Sequence, residues 1–299
     1  MMNDFLPRAT GTSLAFRLKY KGKNDASPQM KSVHIMQIIG DRIDATRKYI
    51  AQAIVTRNRG FIRSEVMDQT ASGADYLNVN AAIFGEDEEK HLHWVIEVVQ
   101  EATELPLCID SPNPAVIEKV LPLVKKRPIV NAITLASDRM DAMLRLVVAY
   151  GTRVIASCLA SSGTAETADE KIEIADRMIR IITDAGVPLD RLYVDPLAYS
   201  LSTNIKSARA TLCAIERIMQ GYPGVHTTCC LSTVSYGLPA RNLLHRTFLA
   251  AAMDRGLDSA IIDPTDSRLY AVIAAGNLIA GRDECCLNYI RAFREGRLE

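Results

Sequence analysis

Leu105-Pro106-Leu107-Cys108-Ile109-Asp110 decides how this chain folds. It is a short apolar run, suited to a strand buried on both faces, and it ends on a carboxylate. Ile129-Val130-Asn131-Ala132-Ile133-Thr134 repeats the pattern with an amide inside the run. Between the two lies a helix-like stretch, residues 114–124. A crossover of that length joins parallel strands. Working outward, the same alternation predicts strands at 35–40, 76–80, 105–110, 129–134, 153–158, 192–195, 225–230 and 259–263. Helix-like segments are read at 87–103, 114–124, 138–150, 166–185, 204–220, 240–255 and 266–280. Helix ends and strand starts are marked by Ala185-Gly186-Val187-Pro188 and Gly221-Tyr222-Pro223-Gly224. Eight such units without a break in composition predict an α/β chain closed into a (β/α)8 TIM barrel over residues 34–299.

Lys plus Arg (35) balances Asp plus Glu (35), so no global field draws nucleic acid or anionic lipid. No apolar run approaches the roughly 18 residues of a spanning helix, and no export signal precedes the barrel. Seven cysteines, an odd number mostly within apolar stretches, suggest reduced buried thiols and a cytoplasmic protein. Residues 1–33 differ from the rest. They carry Arg8, Arg17, Lys19, Lys21, Lys23 and Lys31 against Asp4 and Asp25, and show no periodicity. They read as an irregular N-terminal extension or a disordered lead-in. A start of translation at Met30 or Met36 is an alternative.

Polar residues gather at the strand ends. Asp110, Asp195 and Asp263 close their apolar runs, Asn131 interrupts one, Asn78 and Asn80 share a face, and Asp41 and Arg42 follow the first strand. Taken singly, an Asp before Pro or at a helix start is ordinary turn chemistry. In a parallel barrel all of them meet at one mouth, where barrel active sites are built. Asp110 and Asn131 have apolar flanks, and a buried polar group requires a partner.

The ordered motifs Ile39-Gly40-Asp41-Arg42-Ile43, Leu107-Cys108-Ile109-Asp110-Ser111, Asn131-Ala132-Ile133, Tyr193-Val194-Asp195-Pro196 and Leu231-Ser232-Thr233-Val234-Ser235-Tyr236-Gly237-Leu238-Pro239 are followed by Arg241, Arg246-Thr247-Phe248 and Asp258-Ser259-Ala260-Ile261-Ile262-Asp263. Together they resemble the pterin-binding-domain methyltransferases, which exchange methyl groups between tetrahydrofolate and a corrinoid protein. The resemblance implies a barrel, usually a homodimer. Tetrahydrofolate or 5-methyltetrahydrofolate would be its substrate, the corrinoid would ride on a separate protein, and the barrel would have no metal of its own. Asp110, Asn131 and Asp195 match the family's pterin-binding residues, with Asn78, Asn80, Asp41 and Asp263 beside them. A pterin's guanidine-like edge offers adjacent N–H donors that a carboxylate accepts in pairs.

Three positions depart from the family: Asp41 replaces Glu, Asn78 replaces Asp, and Thr233 replaces the Asn that contacts N5, the methyl-bearing atom. Thr233 is therefore the candidate for the chemical step. Arg241 and Arg246 are candidates to meet the corrinoid protein, because this chain lacks the Asp-x-His-x-x-Gly signature of a corrinoid carrier. The strand-7 motif leans towards methyl flow to tetrahydrofolate. Two alternatives remain at this point. One is a pterin-binding barrel without catalysis, given Thr233 and Asn78. The other is a zinc thiol methyltransferase, given Cys229-Cys230, although neighbouring strand residues point to opposite faces. The Lys and Arg motifs with which dihydropteroate synthase holds its leaving group are not found.

Overall fold

A computed structural model describes residues 35–298 apart from 136, 161 and 162. The expected extension, 1–33, lies outside the described residues. Eight strands form one sheet: β1 (Gln37–Asp44), β2 (Tyr76–Asn80), β3 (Leu107–Asp110), β4 (Ile129–Ile133), β5 (Arg153–Ser157), β6 (Leu192–Asp195), β7 (His226–Thr227) and β8 (Ser259–Ile262). Each neighbouring pair is parallel, in the order β8-β1-β2-β3-β4-β5-β6-β7. A parallel bridge between Cys230 and Ile261 closes the ring, with the Ile261 N–H donating to the Cys229 carbonyl at 2.9 Å. The expected (β/α)8 barrel is the fold.

Around the strands run α1 (Lys48–Val55), α2 (Arg59–Ala71), α3 (Glu88–Ala102), α4 (Pro114–Val120), α5 (Ser137–Tyr150), α6 (Ala168–Asp184), α7 (Ser207–Gly221), α8 (Leu231–Val234), α9 (Arg241–Asp254), α10 (Ser267–Ile279) and α11 (Leu287–Arg294). Local chemistry sets their ends. Asn113 caps α4, with Pro114 in the first turn, and Thr167 and Glu170 form a reciprocal capping box on α6. Outward-facing strand residues and inward helix faces make one large core. A second, smaller core fills the barrel: Ile39, Tyr76, Cys108, Ile129, Ile155, Tyr193 and Ile261.

Four expectations are corrected. The first strand runs to Asp44, so Asp41 and Arg42 lie within it, at a register shift between Gly40 and Ile43. The Gln69 side chain accepts the Arg42 N–H at 3.2 Å and crowds Gly40. A Cβ at Gly40 would stand 2.4 Å from Gln69 Oε1, so a larger residue there would displace the Gln69 side chain. Second, α1 and α2 both occupy the stretch between the first two strands, where eight strand–helix units imply one helix and the sequence marks no bounds for it. The periodicity of α2 is disguised because its buried face includes the polar Glu65 and Gln69.

Third, β7 pairs only over two residues, against an expected strand of 225–230. The Thr227 N–H donates to the Asp258 carboxylate at 2.9 Å instead of to a strand carbonyl, which interrupts the ladder towards β8. Fourth, Cys285 and Cys286 are exposed, against the expectation of buried thiols. They form a turn ahead of α11 with φ of 55° and 60°. All seven cysteines are free.

Candidate active site at the barrel mouth

The mouth follows from the inner core by a simple count. Side chains alternate along a strand, so the residue two positions beyond each inward apolar side chain points inward one layer higher. From Ile39, Tyr76, Cys108, Ile129, Ile155, Tyr193 and Ile261 that count reaches Asp41, Asn78, Asp110, Asn131, Ser157, Asp195 and Asp263. A further step along β2 reaches Asn80. The register agrees, with Asn80 opposite Asp110 and Asp110 opposite Asn131. Every proposed pterin-binding residue thus lies at one end of the barrel. Ser157, opposite Asp195 on β5, belongs with them and was missed because its run ends in a small hydroxyl rather than an acid.

Hydrogen bonds sort these residues. Asn78 Nδ2 donates to Asp110 Oδ2 at 3.2 Å, and the Asn80 side chain also donates to Asp110. The buried Asn78 Oδ1 has no partner, an acceptor waiting for a donor in a place where an unmade bond is costly. Asp195 Oδ1 accepts the Leu197 N–H at 2.9 Å. Asp41 is paired with Arg47 at 2.8 Å. Asp263 is more committed: Oδ2 takes Arg42 at 3.1 Å, and Oδ1 takes the Thr265 N–H and hydroxyl. Arg42 in turn holds Glu65 through two bonds, of 2.6 and 3.0 Å. Asp263 therefore braces the β1–β8 seam.

Burial pushes the carboxyls up. Asp41 and Asp195 are each raised to about 6, with Arg47 opposing the rise at Asp41 and the Leu197 N–H and Lys171 opposing it at Asp195. Asp110 is also raised by burial, against the bonds from Asn80 and Asn78. Such carboxyls favour ligands that bring N–H donors, because those donors replace the water lost on burial.

This has a consequence for stability. An Asp titrating near 6 in the folded chain and near 3.8 in the unfolded one contributes stability fully present below 3.8 and lost as the pH rises through about 6. For Asp195 the loss amounts to about 2 to 3 kcal/mol. Asp195→Asn, whose amide oxygen can still accept the Leu197 N–H, should raise the stability of the ligand-free protein at pH 8 by about 2 kcal/mol. At pH 3.5 it should change little. Urea unfolding at the two pH values checks this, and an Asn variant less stable at pH 8 would refute it.

The remaining candidates sit elsewhere around the mouth. Thr233 lies on the four-residue α8, exposed, and its hydroxyl donates to the Cys230 carbonyl at 2.8 Å. Arg241 is exposed and donates to Ser232 O at 2.7 Å and to Ser235 Oγ at 3.0 Å. Arg246 is half-buried, 3.6 Å from Asp266. A cavity of about 240 Å³ beside Asp41 and Asp263 is also lined by Arg47, Ser232, Arg241 and His245. Cys229 belongs to the outer core while Cys230 packs against the inner one, so the two thiols diverge as strand alternation requires. Burial pushes both thiols up, Cys230 to about 11. No group of three or more His, Cys, Asp or Glu placed to hold a metal occurs among the described residues.

Fold and mouth together define a parallel barrel whose strand ends offer carboxylates and amides to a flat, donor-rich heterocycle. Residues 47–263 match the family model described as "Pterin binding enzyme". The chain is 34% identical over 265 residues to methylcorrinoid:tetrahydrofolate methyltransferase of Eubacterium limosum, covering 88% of this chain and 98% of that one. It is 29% identical over 238 residues to methionine synthase of Mycobacterium tuberculosis, covering 75% of this chain but 20% of that much longer protein. Among solved structures, dihydropteroate synthase of Xanthomonas albilineans in complex with 7,8-dihydropteroate superposes with a TM-score of 0.66. It is 17% identical, covering 82% of this chain and 93% of that one, and that likeness speaks for the fold alone. The chain belongs to the pterin-binding enzymes, among the pterin-binding-domain methyltransferases.

Proposed function

We propose that this protein moves a methyl group from methyl-cobalt on a separate corrinoid protein to N5 of tetrahydrofolate. The observation that carries the reading is the inward row of Asp110, Asn131 and Asp195, with the unpartnered Asn78 Oδ1 beside it. The nearly full-length likeness to the Eubacterium limosum methyltransferase supports it. Asp110 and Asp195 accept N–H groups from the pterin's guanidine-like edge, and Asn131 serves its mixed donor and acceptor edge.

In the reaction the N5 lone pair attacks the methyl carbon. The carbon–cobalt bond breaks with its electron pair remaining on cobalt, and the N5 proton departs to solvent. The site's work is orientation of the nucleophile. Thr233 suffices for this direction, towards which the strand-7 motif leans. Its proton is engaged by the Cys230 carbonyl, which leaves the hydroxyl oxygen as an acceptor for the N–H of tetrahydrofolate. The reverse reaction expels an N-methyl amine, a leaving group that needs a donor, and Thr233 has already spent its proton. Arg241 and Arg246 edge the face on which the corrinoid protein docks, and a homodimer is the assembly expected of the family.

The test follows the cobalt spectrum with methylcobalamin and tetrahydrofolate, then with free cob(I)alamin and methyltetrahydrofolate. Conversion of methylcobalamin, faster than the reverse reaction, is expected, and Thr233→Ala should slow it. Full rate in Thr233→Ala removes any N5 role for that residue. Folate binding with no spectral change in either direction would leave a binding protein without catalysis.

A further inference from the structure

Lys171 breaks two rules at once. It stands at the start of α6, where the helix dipole disfavours a cation. It is also completely buried, where a charge demands compensation. That compensation is specific. Its Nζ donates to the Pro196 carbonyl at 2.8 Å and to the Leu197 carbonyl at 2.6 Å, and lies 4.6 Å from the centre of the Tyr199 ring. Those are the two carbonyls that directly follow Asp195.

Leu197 is itself unusual. Its φ of 52° is left-handed, a conformation that costs a residue with a side chain about 1–2 kcal/mol. Strain of this kind persists where surrounding contacts over-determine it. Here the contacts are the two bonds from Lys171 and a third from Thr211 Oγ1 to the Leu197 carbonyl at 3.3 Å. The strained turn directs the Leu197 N–H back onto Asp195 Oδ1 at 2.9 Å. With Oδ1 held, Oδ2 is the oxygen presented to a ligand.

We propose that Lys171 is a positioning residue for Asp195: it clamps the Pro196–Leu197 turn, so that the Leu197 N–H sets the carboxylate and the ammonium faces it. The consequence for binding rests on the pterin reading of Asp195, whereas the clamp belongs to the free protein. The groups facing Asp195 are Lys171 from α6, Cys158 after β5, Cys229 and Cys230 after β7, and Tyr199 on its own loop. Burial pushes the three thiols and the phenol up, so they are neutral at physiological pH. Lys171 is the cation that lowers the Asp195 carboxyl against that burial. The groups facing Lys171 are Asp195, Cys158, Cys229 and, from its own helix, Glu170.

The experiment has two arms. In the first, the ligand-free protein is titrated by carbon-13 detection of its Asp carboxyls, with the Asp195 signal assigned through Asp195→Asn. The wild-type midpoint is expected at about 6. Lys171→Met should move it up by about one unit, Lys171→Arg should hold it near the wild-type value, and the Leu197 amide should lose exchange protection only in the Met variant. Lys171→Gln, which keeps a donor and drops the charge, is read the same way if Lys171→Met does not fold. An unmoved midpoint in a folded uncharged variant overturns the proposal, since a merely structural lysine would leave the titration alone.

In the second arm, tetrahydrofolate binding is measured at pH 6. A one-unit rise cuts the ionised fraction of Asp195 from about one half to about one tenth, so Lys171→Met should bind about fivefold more weakly. If the midpoint moves as expected while even the wild type binds no tetrahydrofolate, the clamp stands and the pterin reading fails.

Discussion

Asp110→Ala is expected to weaken tetrahydrofolate binding about 100-fold at pH 8, with the barrel intact. The carboxylate is the inward end of β3 and receives the side chains of Asn78 and Asn80, which fix its rotamer and aim its remaining acceptor capacity into the mouth. A pterin edge with two adjacent N–H groups would make two bonds to an ionised partner, each worth about 1.5–3 kcal/mol. Their loss leaves buried donors unpaired, which is why sites built to recognise N–H or O–H groups discriminate so strongly. About 3 kcal/mol corresponds to the 100-fold loss. Asp110→Asn should lose at least as much, because it presents a donor where the ligand also has one.

Calorimetric titration with tetrahydrofolate measures the loss, and far-UV circular dichroism confirms the fold. A dissociation constant within threefold of wild type in Asp110→Ala would remove Asp110 from the site. The wild-type affinity should also decline as the pH falls below about 6, where Asp195 takes up a proton; burial raises the Asp110 carboxyl in the same direction.

How much of this could be read from the chain depends on which residue is asked about. The barrel and most of its mouth were legible because two periods coincide. An apolar residue fills the inner layer, and its polar neighbour two positions on lines the mouth, as with Cys108 and Asp110 or Tyr193 and Asp195. What hid was polar chemistry that supports the site from outside the sheet. Glu65, Gln69 and Lys171 look like the solvated face of a helix, since a charged residue every few positions is the usual signature of exposure. They are buried because Arg42, Gly40 and the Pro196–Leu197 turn receive them, and those partners are far away in sequence. Asp263 looked equal to the other strand-end acids, and only three-dimensional structure reveals that Arg42 and Thr265 already hold both its oxygens. Thr233 differs again. Its identity was plain, but the direction in which its hydroxyl donates depends on the turn into α8.

The same network sets the second large expectation: Arg42→Met should destabilise the protein by about 3–5 kcal/mol. Arg42 sits at the irregular step in β1 and makes a two-bond ion pair with Glu65, a bond to Asp263 and another to Thr265. The Glu65 side chain is 9% exposed. Removing the guanidinium leaves that carboxylate buried and unpaired, and this costs more than the pair itself contributes. For a domain of this size, each kcal/mol lowers the melting temperature by about 2–4 °C, so a fall of about 10 °C is expected. Arg42→Lys should recover little, because a single ammonium cannot make the forked contact with Glu65 while also reaching Asp263 and Thr265. Glu65→Leu in the Arg42→Met background should restore much of the loss, since it removes the stranded charge. The double-mutant cycle then reads out the coupling directly. Equal destabilisation of the single and double variants would mean that the damage lies in the β1 step rather than in the unpaired carboxylate, and the ion pair would lose its role as the seam's main support.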